Sequence, residues 1–431
     1  MSPTAAETRA TEGAGDRREP DGAAGDARLR VFESRGGWQV GILGGAFAFL
    51  ILAAMLASAA LSMRADGMVT VPVDMRTFWA AAVLAWGGEA VAAHDLARLE
   101  AVHQGGRDVW MIWTYPPGLT VLIAPLGALT FIEAWVLFTV LSLGAIILAV
   151  RPYCSGMVPP LLCFALAPAW IPTLYIGQTT ALWSATLLAA LWALRGGRPV
   201  LAGVLIGLLT LKPQLGLLIP VALIAAGAWR TIGAATVTTV LVAAVPSFYT
   251  GVEIWPALFE AGRLHADRIA LSIPNLSAMC SPLSALIGLG IAPEVAAFLQ
   301  AGLSLGAAIA VWIAWRRSAV SPDLKAAVLM AAILLSTPYL WFYETAMLPL
   351  VALFLVRAGA LRLRRAGLVV FALLWLGTAP PMLLHMLHPE SPDIETRLFA
   401  VPVVLLAMAL ALAALARGPA DAPLAPARRS G

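Results

Sequence analysis

Charge is what this sequence has least of. Only 12% of its 431 residues are Asp, Glu, Lys or Arg, against about 25% in a soluble domain. That shortage, with 60% hydrophobic residues and a mean hydropathy of +0.85, excludes a soluble globular fold and requires a polytopic membrane protein, for which the usual relation of length to domain number does not hold. The net charge of +4 is too small for a nucleic-acid-binding face and reflects arginines near membrane ends. Three cysteines, Cys154, Cys163 and Cys280, give no even framework, so disulfides are not part of the design. Cys163 lies in an apolar run and reads as a packed thiol. Zinc-type spacings are missing, as is a Gly-rich phosphate loop between a strand and a helix. His385 and His388 are spaced for one helical face, but two histidines without a third ligand do not make a metal site. No metal and no cofactor are expected. Residues 1–37 have no apolar core, so they are neither a signal peptide nor a folded unit. They read as a disordered cytoplasmic tail held inside by Arg28, Arg30 and Arg35, and residues 418–431 as a second such tail.

What remains, 38–417, is apolar and reads as one all-α transmembrane domain. A span needs about 20 apolar residues. Clear runs occur at 38–63, 131–150, 179–194, 231–248, 292–315, 325–338, 341–356, 366–384 and 400–415. Shorter pieces lie at 117–129, 158–175, 200–211 and 213–228. About 11 to 13 spans are expected on this count. Arg195, Arg198, Arg230, Arg316, Arg317, Arg362, Arg364 and Arg365 belong at the cytoplasmic end. If Arg198 and Arg230 share a side, the chain from Val200 to Ala228 enters and returns, with Leu211-Lys212-Pro213-Gln214 at its tip; arms of 12 to 16 residues reach only about 18–24 Å. The rival topology makes the same stretch one kinked helix. Gly203 and Gly207, four apart, suit close helix packing. The polar stretch 63–113 is then a first outer loop, and 78–99 within it reads as an interfacial amphipathic helix. Tyr115-Pro116-Pro117, Gly177-Gln178, the loop 253–281, Tyr339 to Glu344 and His385 to Arg397 fall on that same outer side.

Asp74 is the first acid after the first apolar run. At the bilayer surface it can remain ionised, the form a general base needs; alternatively it caps the helix that begins near Arg76. Lys212 is one of only two lysines, the other being Lys325, and it lies in an otherwise uncharged, mostly apolar stretch. A charge there costs several kcal/mol without a partner. It is either a phosphate anchor at a helix break or a snorkelling lysine at a hairpin tip. Gln178 opens a span, and either bonds a ligand or satisfies a helix start. Tyr115 offers an aromatic face to a sugar or lipid, or belongs to an interfacial belt. Glu344, in Tyr343-Glu344, is an acid among apolar residues and suits ligand contact or pairing with a cation such as Lys212. Arg263, His265, Asp267 and Arg268 read as a solvated loop face, or as a contact for an anionic lipid headgroup or the acceptor.

These pieces, in their order, resemble bacterial glycosyltransferase family 87. The likeness rests on Asp74 with Phe78-Trp79 and Gly87-Gly88, Tyr115-Pro116-Pro117 with Pro125-Leu126, Gly177-Gln178, Arg198-Pro199 with Ala202-Gly203, Leu211-Lys212-Pro213-Gln214 with Pro220, Trp229-Arg230, and Thr337-Pro338-Tyr339-Leu340. It implies a GT-C type enzyme in the bacterial plasma membrane, acting at the extracytoplasmic face. The implied reaction moves a hexose, typically mannose, from a polyprenyl-phosphate donor to a glycolipid or glycan acceptor. Asp74 matches the acid taken as the general base, and Lys212 the Lys-Pro position assigned to the donor phosphate. Tyr115, Gln178, Gln214, Tyr343 and Glu344 are the candidates for sugar and acceptor contact. Glu344 stands where relatives often carry Asp or His. A lipid or solute transporter, and a glycan ligase with a pyrophosphate-linked donor, are the alternatives. A transporter calls for internal duplication, which the sequence does not show.

Overall fold

The computed structural model describes residues 20–66, 73–103, 111–272, 277–387 and 395–417. Among these there is no strand, only an isolated antiparallel bridge between Met279 and Trp341. The chain opens with α1 (Pro20–Leu29) and α2 (Arg35–Asp66), followed by α3 (Val73–Trp86) and α4 (Leu96–His103). Next come α5 (Pro117–Ile123), α6 (Phe131–Val150), α7 (Val158–Ala165), α8 (Trp170–Ile176) and α9 (Thr180–Arg195). The middle holds α10 (Pro199–Leu208), α11 (Ile219–Ala225), α12 (Trp229–Thr250), α13 (Ile254–Ser272), α14 (Pro282–Gly288) and α15 (Pro293–Arg316). The last five are α16 (Pro322–Ser336), α17 (Leu348–Arg357), α18 (Arg365–Leu376), α19 (Ala379–Leu387) and α20 (Thr396–Arg417).

The protein is an all-α polytopic membrane protein of GT-C type, but its expected spans are not all continuous. Five helices among the described residues are long and apolar enough to cross a membrane, or six if the α7–α8 pair, bent by 55°, is one span. Shorter apolar helices make up much of the remainder. Proline and glycine account for the breaks: Pro117, Pro199, Pro282, Pro293 and Pro322 each open a helix, where the missing N–H costs nothing. Gly177 leaves α8 with φ +78°, a conformation that penalises any Cβ. Thr130 and Glu133 start α6 with reciprocal capping bonds.

The core runs through α16 and α17. Every residue of α17 is buried, and so is nearly all of α16. Helices apolar on all faces belong in the interior of a bundle. At one end of this core Asp323 accepts from Arg195 Nη1 at 3.1 Å and Arg357 Nε at 3.0 Å, and Arg357 Nη1 reaches Asp26 Oδ1 at 2.8 Å. Asp26 comes from α1, and Leu29 and Phe32 just after it join the core. The expected disordered tail is therefore helical from Pro20 and packed from Gly25 onward; residues 1–19 and 418–431 lie outside the described residues. The arginine-rich ends of α9 and α17 meet here.

The stretch between Arg198 and Arg230 is a re-entrant hairpin. A Cβ at Gly203 would lie 2.4 Å from Thr231 O and 2.5 Å from Ala234 Cβ; one at Gly207 would lie 2.4 Å from Thr238 Cβ. Higher numbers on α10 thus meet higher numbers on α12, so the two helices run parallel and the chain between them returns to its starting end. The tip is deep in the bundle. A Cβ at Gly118 would touch both Leu211 and Val242, which puts Leu211 about 20 Å along α12 from Trp229.

The segment expected as a first outer loop is docked rather than loose. Met75, Arg76, Thr77, Phe78 and Ala80–Ala82 of α3 are buried. Trp79 Nε1 donates to Leu129 O at 3.0 Å, and Arg76 Nη1 to His103 O at 3.0 Å. The loop expected at 253–281 is mostly helix, α13. The three cysteines are free and buried.

Candidate active site

The site lies at the end of α9 opposite the Arg195–Asp323–Arg357 ion pairs. The sixteen residues of α9 separate the two by about 24 Å. Gln178, just before α9, is its hub. Gly177 makes this possible: with φ +78° and no side chain, it lets Met75 pack where a Cβ would meet Met75 Cβ at 2.5 Å. That contact brings the start of α3 against the start of α9. Gln178 Nε2 then donates to Asp74 Oδ2 at 2.6 Å. Its Oε1 accepts from the Tyr115 hydroxyl at 3.2 Å and from Lys212 Nζ at 3.5 Å. The network fixes the amide with nitrogen toward the carboxylate and oxygen toward the donors.

Lys212 stands between two short 3-10 turns, with φ −135° and ψ 76°. Pro213 excludes the α conformation at this position, so the hairpin breaks at the lysine and frees its side chain from either arm. Trp183 Nε1 anchors the tip by donating to Leu209 O at 3.1 Å. Lys212 is 2% exposed and Glu344 1%, and their charged atoms are 2.9 Å apart. Lys212 Nζ also donates to Thr180 Oγ1 at 3.3 Å and sits 5.0 Å from the centre of the Tyr343 ring. Glu344 is held by the Trp341 N–H, which donates to its Oε2 at 2.9 Å. The bridge that pairs 278–280 with 340–342 carries that turn: Cys280 N donates to Leu340 O at 2.6 Å and Phe342 N to Ala278 O at 3.0 Å.

One cluster thus holds Asp74, Tyr115, Gln178, Lys212, Tyr343 and Glu344, six of the seven residues expected from sequence. The seventh, Gln214, is exposed, and no described hydrogen bond ties it to the cluster. On a 3-10 turn of three residues per turn, positions two apart do not share a face, so Lys212 inward leaves Gln214 outward. Thr180 is the member that sequence reading missed; its signal was a hydroxyl at the first turn of an otherwise apolar helix. Arg263, Asp267 and Arg268 lie exposed on α13, away from the cluster. His388 and the side chain of His385 lie outside the described residues. No metal-ligand group of three occurs among the described residues.

Asp74 is half-buried and outside the membrane-crossing helices. Burial pushes its carboxyl up to about 6, against the pull of the Gln178 hydrogen bond and the Lys212 charge, with Glu344 adding to the rise. An aromatic wall closes its flank: Phe78, Trp113 and Tyr115 pack with ring centres 4.8 to 5.1 Å apart. Behind that wall His94 Nδ1 bonds Trp113 O at 2.9 Å. His94 also lines an open cavity of about 600 Å³, together with Glu89, Asp95, Arg98 and Glu260.

A base candidate, a buried ammonium and a bridging amide are what group transfer between two polar substrates asks of a site. The sequence model of glycosyltransferase family 87 matches residues 113–338, more than half of the chain. The chain belongs to glycosyltransferase family 87. No curated protein and no solved structure matches it. This family 87 member is therefore a membrane glycosyltransferase. The matched span contains Tyr115, Gln178, Thr180 and Lys212; Asp74, Tyr343 and Glu344 lie outside it and join the others only through the fold.

Proposed function

We propose that this family 87 protein moves a hexose, mannose by resemblance to its family, from a polyprenyl-phosphate donor to a glycolipid or glycan acceptor at the outer face of a bacterial plasma membrane. The observation that carries the reading is Gln178, which touches Asp74 on one side and Lys212 on the other. A transferase needs a base for the acceptor and a cation for the leaving phosphate, held at a fixed separation.

The step is a single displacement with inversion. The acceptor hydroxyl gives its proton to Asp74 as its oxygen bonds to the anomeric carbon. The bond from that carbon to the phosphate oxygen breaks, and its electron pair stays on the phosphate. The leaving group thereby gains negative charge, and Lys212 is the cation set to stabilise it. Between bond-breaking and bond-making the sugar passes through an oxocarbenium-like state. In the resting arrangement Lys212 is paired with Glu344, so an arriving phosphate competes with Glu344 for the ammonium. Displaced from Lys212, the Glu344 carboxylate is free to accept from sugar hydroxyls. Tyr115 and Tyr343 supply aromatic surface for the sugar, and the acidic cavity beside Trp113 suits the hydroxyls of an acceptor.

Proteoliposomes holding the purified protein, a labelled polyprenyl-phosphate hexose and a bacterial glycolipid extract test this. Label transfer to the extract, lost in Asp74→Asn, is the expected result. Movement of donor lipid across the bilayer without transfer overturns it in favour of transport.

A further inference from the structure

At the end of the bundle opposite the site, an open cavity of about 840 Å³ is walled by Arg28, Asp323, Arg357, Arg362, Arg364 and Arg417. Five guanidinium groups and one carboxylate are an unusual lining, and they come from four distant parts of the chain. Part of the charge is accounted for. Asp323 and Asp26 are matched by Arg195 and Arg357 in the buried ion pairs. Arg28 Nη1 donates to Arg357 O at 2.5 Å, capping the carbonyl end of α17. Arg417 Nε reaches only a carbonyl, Ala413 O at 3.1 Å. Among the described residues no carboxylate pairs with Arg362, Arg364 or Arg417, so within that set three cations face one cavity without a paired counter-charge.

Its position narrows the ligand. Arg417 ends α20, a helix long and apolar enough to cross the membrane, and Arg365 opens the apolar α18. The cavity therefore lies at the level where apolar helices leave the bilayer, which is the depth of a lipid headgroup. Its lining also includes Val31, 45% exposed, with Leu324, Leu363 and Leu415. Arginines beside the exposed Val31 and the half-buried Leu363, with Leu324 and Leu415 buried behind them, match a phosphate attached to an acyl chain. Basic pockets of this kind at membrane ends take anionic headgroups, and the volume is within the usual range of about 300–1,000 Å³ for ligand sites. Ordinary orienting arginines scatter along loops; these converge. The wall formed by α1 is built in, because Gly25, with no side chain, lies directly over Asp323 and Arg357.

We infer that this cavity is a binding site for the phosphodiester headgroup of an anionic phospholipid, separate from the glycosyl-transfer site and about the length of α9 away from it. Nothing in it depends on the proposed donor or acceptor. The test titrates dioctanoyl phosphatidylglycerol, and in parallel dioctanoyl phosphatidylcholine, into the full chain in maltoside detergent, with native mass spectrometry as readout. One phosphatidylglycerol retained per chain, with phosphatidylcholine lost, is expected. The combined Arg362→Gln, Arg364→Gln, Arg417→Gln variant should lose about a hundredfold in affinity, and the matching triple Lys variant should keep most of it. Because none of these three belongs to the buried ion pairs, the thermal unfolding of both variants should match the parent. Equal retention of the two lipids, or a triple Gln variant that binds as tightly as the parent, overturns the site. Glycerol 3-phosphate displacing the lipid at equal concentration overturns the lipid as the source and leaves a soluble phosphate ester in its place.

Discussion

Gln178 donates to Asp74 across 104 residues of sequence, at 2.6 Å. Among the described residues it is the one side chain that touches the carboxylate, the ammonium of Lys212 and the Tyr115 hydroxyl together. Gln178→Leu removes all three bonds at nearly constant volume. A hydrogen bond to a charged group is worth about 1.5–3 kcal/mol, so kcat should fall about 10- to 100-fold, with the protein still folded. Steady-state transfer in proteoliposomes measures this. An unchanged kcat would show that the bridge is incidental to transfer.

The acidity of Asp74 sets a pH profile. Its carboxyl is raised from the ordinary 3.8 to about 6. A base must be ionised, so transfer should be complete above that value and fall as pH drops through about 6, where an unperturbed Asp would still be active. Asp74→Asn should abolish transfer at every pH while membrane insertion survives. Glu344→Gln takes away a like charge and frees Lys212 to act on Asp74, and both effects lower the Asp74 pKa. The acid limb of whatever activity Glu344→Gln retains should move to lower pH. A limb that moves upward would contradict the placement of these three charges.

Lys212 and Glu344 form a buried pair in which each partner is almost wholly inaccessible. Removing one leaves the other as an uncompensated charge, a loss of about 3–5 kcal/mol. Lys212→Met should therefore lower the thermal midpoint sharply. Lys212→Met combined with Glu344→Gln should recover most of that loss, since neither member of the buried pair is left as a lone charge, yet stay inactive. Unfolding monitored in detergent and transfer measured in liposomes give the two readouts. A double variant as unstable as Lys212→Met would mean that the pair does not carry the destabilisation.

Much of this was legible because charge is scarce. A lone lysine in an apolar stretch and an acid just past the first apolar run are conspicuous, and both lie in the cluster. The parallel packing of α10 on α12 was half-legible: two glycines four apart suggested a close contact, but only coordinates show which backbone they meet and in which direction. Residues 20–37 read as disordered from sequence because their partners are distant: Arg357 holds Asp26, and Phe164 and Phe371 receive Phe32, and no local pattern reports partners so far along the chain. From sequence α13 reads as a loop because its charged exposed face hides the buried Ile254, Ala261 and Ile269. Gln214 lies two positions from Lys212 in sequence but on the other side of a tight turn, so proximity along the chain does not place it in the cluster.

That glycine contact also gives the most distant handle on the site. Gly207 meets Ala235 O and the Thr238 side chain where a Cβ would lie within 2.4–2.8 Å. Backbone cannot give way there, so Gly207→Val must push α10 off α12. Overpacking costs about 1–3 kcal/mol, and the strain falls on the hairpin whose tip carries Lys212. Gly207→Val should lower both the thermal midpoint and the donor affinity, although the residue touches no substrate. Gly233→Ala on α12 is the control, since a Cβ there meets nothing within 4 Å and alanine favours helix over glycine by about 1 kcal/mol. That variant should be slightly more stable and fully active. Loss of donor affinity in Gly207→Val alone would place the parallel hairpin, and not helix composition, in control of where the ammonium sits.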